Sequence, residues 1–143
     1  MEPWPSPAQV AALIAIAQQS APRECCGWVT ASTVRPADNI ATQPTKFNFA
    51  AADLLALARA TELPSDHDDY PRAIFHSHPH GPGTLSSDDL ATAVVQIPDD
   101  GSVVTPAYTA TQLLIVGPHW HIVRFDFDAH APGYFRRCEV PLC

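Results

Sequence analysis

The chain has 143 residues, of which 46% are hydrophobic, with 15 prolines and a net charge of -7. That length suits one domain with its own core, and prolines and charges cut every apolar run well short of the ~18 residues that a membrane span needs. Eight scattered Lys and Arg residues against fifteen acids exclude a phosphate-binding face, so no nucleic-acid partner is expected and a polar or basic one is.

The start, MEPWPSPAQV, carries an acid and three prolines where a secretory signal has a basic region and an unbroken apolar core, which leads us to expect a cytoplasmic protein. Four cysteines, Cys25, Cys26, Cys138 and Cys143, are then expected as reduced thiols, because a pair of adjacent cysteines makes a poor disulfide framework. Ser6 followed by Pro7 reads as an N-cap and first helical residue, and Val10, Leu13, Ile14 and Ala17 recur at helical spacing, giving a helix that ends near Gln19. Residues 25–30 and 33–35 read as two strands of a hairpin turning through Ala31 and Ser32. An irregular or extended stretch, NIATQPTKFNF, follows. Next comes a helix, AAADLLALARATE, with Leu54, Leu55 and Leu57 facing inward.

Residues 63–70, LPSDHDDY, are acidic and contain proline, the composition of an exposed loop. RAIFHSH is a strand by its apolar and aromatic content. After the break at Gly81-Pro82-Gly83, SSDDLATAVVQ is expected to begin a third helix at an N-cap. PDDGSVVTPAY reads as a loop with room for a short strand. QLLIV and HWHIVRFDF are two strands turned by Gly117-Pro118, and the tail to Cys143 has no clear assignment. Helices mixed with antiparallel hairpins near both ends of the chain point to a single α/β or α+β domain, residues 1–143, with a mixed central sheet flanked by helices.

The chemistry concentrates in His76-Ser77-His78-Pro79, six further residues, then Ser86-Ser87-Asp88-Asp89. Side chains alternate along a strand, so His76 and His78 project to one side within reach of a single ion. Pro79 ends the strand, and the glycines allow the chain to return with a carboxylate. Two imidazoles and one carboxylate make the three-ligand set of a catalytic zinc site, whose fourth position stays open for water. Asp88 and Asp89 are rivals for the carboxylate, pointing about 100° apart on a helix. Ser86 with Asp89 is also a capping box; beside the two histidines it is expected to donate a hydrogen bond to a forming oxyanion as well. His119-Trp120-His121 repeats the spacing on an expected strand, but no carboxylate follows and we expect it to face solvent. His80 is expected in a loop at the mouth of the site, and His67 and His130 in polar loops.

HSHP, six residues and then Ser-x-x-Asp resembles the JAMM motif of the MPN-domain metalloproteases, the family that contains deubiquitinating isopeptidases. Pro22-Arg23-Glu24-Cys25-Cys26-Gly27 is similar to the Pro-x-Glu-x-Cys-Gly opening of its prokaryotic members. The resemblance implies His76, His78 and Asp89 as Zn2+ ligands, Glu24 as the catalytic acid/base and Ser86 as the oxyanion-stabilising serine. The spacing from Ser86 thereby prefers Asp89 to Asp88. It also implies a ubiquitin-like, β-grasp protein or its conjugate as partner, with the tail bound extended beside a sheet edge; acidic residues 65–69 and Asp99-Asp100 would attract an arginine in such a tail. Phage tail-tip and sulfur-carrier peptidases share the domain, and a non-catalytic scaffold of the same family would show a gap in the motif that this sequence lacks.

Overall fold

A computed structural model describes residues 4–81, 94–96, 104–106, 112–131 and 134–140 of the chain. Helix α1, Pro7–Ser20, opens on a complete capping box: the Ser6 hydroxyl accepts from the Gln9 amide and the Gln9 side chain accepts from the Ser6 amide. Both orphan donors of the first turn are thus satisfied locally. Leu13 and Ala17 are fully buried, while Val10 and Ile14 pack at the margin of the same cluster. Gln9 is buried as well, a polar residue on the inward stripe. It is tolerated because its Nε2 donates to the Thr30 carbonyl at 3.0 Å, so no buried donor goes unmet.

Strands β1, Cys26–Val29, and β2, Val34–Ala37, form the expected hairpin around Ala31 and Ser32, closed by Thr30 N–H donating to the Thr33 carbonyl. Pro36 lies in β2, an edge strand, where a missing N–H costs no ladder bond. Helix α2 spans Ala51–Ala60, and strand β3 spans Ala73–Ser77. Short strands β4, Val94–Gln96, and β5, Val104–Pro106, pair antiparallel. Strands β6, Gln112–Val116, β7, Ile122–Phe127, and β8, Phe135–Glu139, complete the chain order. The main sheet runs β2-β1-β3-β6-β7-β8, with β3 and β6 parallel and every other pair antiparallel. This is the mixed central sheet that the sequence implies.

Alternation along the strands sorts the core onto two faces. On one, Ala73 and Phe75 of β3 join Leu13 and Ala17 of α1; on the other, Ile74 joins Trp28, Phe49 and Leu57 of α2. Central β3 is covered on both faces, so all five of its residues are buried and its sequence reads as an unbroken apolar run up to the histidine. Gly27 is required by close approach: a methyl group there would overlap the Arg35 carbonyl oxygen and meet Phe75 Cε1 at 2.7 Å. Among the described residues, no helix is long and apolar enough to cross a membrane.

Several expectations are corrected. Of the three α2 leucines only Leu57 is buried; Leu54 and Leu55 are 49% and 53% exposed. At 100° per residue Leu55 lies about 160° around the helix from Leu57, outside any inward stripe, while Leu54 shares the spacing of the stripe but lies at its exposed margin. Val94–Gln96, expected as the end of a third helix, is strand β4; its β-branched pair Val94-Val95 suits a strand better. His119, Trp120 and His121 form the turn between β6 and β7 instead of beginning β7, and Trp120 has a positive φ of 57°. Strand β8 was not legible in the tail. Cys25 and Cys26 are free thiols, as expected, whereas Cys138 is in a disulfide.

Candidate metal centre

The start of β1 meets the end of β3. Cys26 faces His76 in the antiparallel register, and continuing it by two residues sets Glu24 opposite His78. Two bonds carry the pairing past the regular ladder: Ser77 N–H donates to the Cys25 carbonyl at 3.2 Å, and Cys25 N–H donates to Ser77 Oγ at 2.8 Å. On its other side His78 N–H donates to the Val116 carbonyl of β6 at 2.9 Å, so the second histidine is held in the sheet although β3 has formally ended. His76 and His78 point to the face that carries Ile74 and α2, as strand periodicity requires.

Glu24, His76 and His78 are 7%, 2% and 8% exposed. Each offers a ligand atom, and these atoms all lie within 4.8 Å of one another. The two Nε2 atoms are 3.0 Å apart, with the ring planes inclined at 59°. Two nitrogens bound at 2.0–2.1 Å on a tetrahedral ion stand roughly 3.3 Å apart, so the imidazoles already have nearly the separation that shared coordination imposes. Two neutral imidazoles turned toward one point with a carboxylate beside them form a group that a divalent cation suits. The donor set therefore fits a metal ion, with nitrogen and oxygen donors that suit a borderline cation.

The surroundings narrow the ligand set. Cys26 lies beside this cluster, but burial pushes its thiol up to about 12 and its Sγ approaches the Ala37 carbonyl at 3.9 Å. Burial raises the Cys25 thiol too. Among the described residues the grouped ligand atoms are those of Glu24, His76 and His78, with neither sulfur among them. His80 is exposed two residues beyond His78, and His67 and His130 are exposed in loops. The ring of His121 lies over Gly117. Ser86, Asp88 and Asp89 lie outside the described residues.

The sequence reading passed over two residues that shape this centre. Phe47 stacks on His76, with centroids 4.6 Å apart and planes inclined at 20°. Asn39 bonds to the Glu24 carbonyl. Both come from the stretch read as irregular; its aromatic pair at Phe47 and Phe49, spaced by two, was the available sign that this loop has an inward side.

A six-stranded mixed sheet with a helix on each face, bearing a buried Glu-His-His group at the strand ends, defines an α/β domain with a candidate metal-binding centre. The family model for prokaryotic homologs of the JAB domain matches residues 6–132, and the chain belongs to that family. Among solved structures, the chain is similar to the solution structure of protein DSY2949 from Desulfitobacterium hafniense, at 18% identity and a TM-score of 0.63 over 93% of this chain and 87% of that one. At that identity the likeness concerns the fold. No curated protein matches the chain.

Proposed function

We propose that this protein is a zinc-dependent isopeptidase or peptidase that removes a ubiquitin-like protein from its target or trims its C-terminus. The observation that carries the reading is the convergence of Glu24, His76 and His78, all buried, with ligand atoms within 4.8 Å. Membership of the JAB family, which includes metalloproteases, supports it.

His76, His78 and Asp89 would hold the ion, leaving Glu24 beside it. A zinc ion held there would supply a Lewis acid for the scissile carbonyl and make a nearby water easier to deprotonate. Glu24 accepts the proton of the water as its oxygen bonds to the carbonyl carbon. The Ser86 hydroxyl donates to the oxygen that gains negative charge. When the carbon–nitrogen bond breaks, Glu24 returns the proton to the departing amine, which leaves neutral; a lysine amine needs this transfer. Exposed Asp66, Asp68 and Asp69 offer attraction for an arginine in the incoming tail. The three described positions of the motif are all filled, which favours an enzyme over a non-catalytic scaffold.

The test uses a quenched fluorogenic peptide carrying a Gly-Gly-ε-lysine isopeptide bond. Protein with one zinc per chain should cleave it, lose cleavage on treatment with a chelator and regain it when zinc is added back. Cleavage that survives complete metal removal would contradict the reading.

A further inference from the structure

Residues 38–50, between β2 and α2, contain no regular element, yet they are tied both to themselves and to the metal centre. Asn39 is the knot. Its Nδ2 donates to the Glu24 carbonyl and to the Lys46 carbonyl, both at 2.9 Å. Its Oδ1 accepts from Ala41 N–H at 2.9 Å and from Asn48 N–H at 3.1 Å. Two carbonyls on one side and two N–H groups on the other fix which end of the amide is which. The main chain closes the same loop, with Ile40 N–H donating to the Asn48 carbonyl at 2.9 Å and Asn39 bridged to Phe49.

The closed loop reaches the site at three points. The Pro44 carbonyl accepts from Glu24 N–H at 3.2 Å, the Phe47 ring stacks on His76, and the Arg23 guanidinium donates to the Ala41 carbonyl. Both main-chain polar groups of Glu24 are therefore held by this loop, the N–H by Pro44 and the C=O by Asn39. Glu24 lies two residues before Cys26, the first residue of β1, beyond the regular ladder, and these two bonds hold its main chain there.

We infer that Asn39 is a positioning residue: by closing the 39–49 loop onto Glu24 it sets where that carboxylate stands relative to His76 and His78. The inference rests on Glu24 acting as the proton acceptor proposed above. No other side chain of similar size offers two donors and two acceptors. Aspartate would turn acceptors toward two carbonyls, and serine is too short to span Glu24 and Lys46.

Asn39→Asp and Asn39→Ser are compared with wild type in two experiments. The first measures amide hydrogen exchange by NMR on metal-free protein. Exchange at Glu24, Ala41 and Asn48 should rise by at least ~10-fold, while Leu114 in β6 keeps its protection. The second measures zinc-loaded kinetics on the fluorogenic isopeptide. There kcat should fall by ~10- to 100-fold with KM changed by less than ~2-fold, the pattern of a displaced catalytic group. In a Glu24→Gln background the same Asn39 substitution should change the residual rate by less than ~2-fold, since a residue acting through Glu24 has nothing left to position. Unchanged exchange at Glu24, unchanged kcat despite lost protection, or an equal loss in the Glu24→Gln background would each overturn the inference. Failure of the metalloprotease reading looks different: zinc-loaded wild type would itself leave the peptide intact.

Discussion

Glu24→Gln is expected to lower turnover by ~10^3-fold or more while zinc stays bound at one per chain. The substitution keeps the shape of the side chain and leaves untouched the two main-chain bonds that place it, to the Pro44 carbonyl and from Asn39. What it removes is the ability to accept a proton. General acid–base groups contribute ~10^2- to 10^4-fold, and here one carboxylate serves twice, first toward water and then toward the leaving amine, so the upper part of that range applies. Parallel measurement of kcat and of metal content by atomic absorption checks both halves of the expectation. A variant that keeps more than about a tenth of wild-type turnover would remove Glu24 from the mechanism; one that loses zinc would make it a ligand.

Replacing His76 or His78 by alanine should have the complementary effect. Outer-sphere partners of metal ligands cost ~10- to 100-fold in affinity when removed, so deleting one of the two imidazoles themselves should weaken zinc binding by well over ~100-fold and abolish cleavage with it. The consequence is visible without any substrate. An ion that binds only the folded chain stabilises it by ~2.7 kcal/mol at a hundred times its Kd, and the wild-type melting temperature should rise by several degrees on zinc addition. His78→Ala should show no such rise at the same zinc concentration. His76→Ala also removes the partner of the Phe47 ring, so it should melt lower than His78→Ala without metal. Equal zinc-induced shifts in wild type and both variants would place the metal elsewhere.

Much of the architecture follows from patterns that local physics enforces. Alternation in a strand puts His76 and His78 on one face, and the Ser6 cap with Pro7 marks the start of α1. The run from Ala73 to Ser77 reads as a central strand because both faces are covered. Glu24, seen from the sequence as an acid before an apolar strand, proves to be buried beside the histidines. Other features depend on contacts that no local pattern carries. Leu54 and Leu55 look like core, but inwardness is set by how α2 leans on the sheet, and that placement selects Leu57. Gln9 looks like surface, but a carbonyl 21 positions away makes its burial acceptable. Phe135–Glu139 reads as tail because two arginines and a glutamate mask an edge strand whose side chains are largely outside the core. Asn39 sits in a stretch with no period at all, where order comes from four hydrogen bonds to one amide rather than from repetition.

The measurement that tests the central claim most directly is a crystal structure of the zinc-loaded protein, with diffraction recorded on both sides of the zinc absorption edge. The account predicts one anomalous peak per chain, ~2.0–2.1 Å from an imidazole nitrogen of each of His76 and His78 and ~2.0–2.2 Å from a carboxylate oxygen of Asp89. Glu24 should stand beside the ion without binding it directly. No peak between the two histidines, or a peak ligated by Glu24 in place of Asp89, would contradict it.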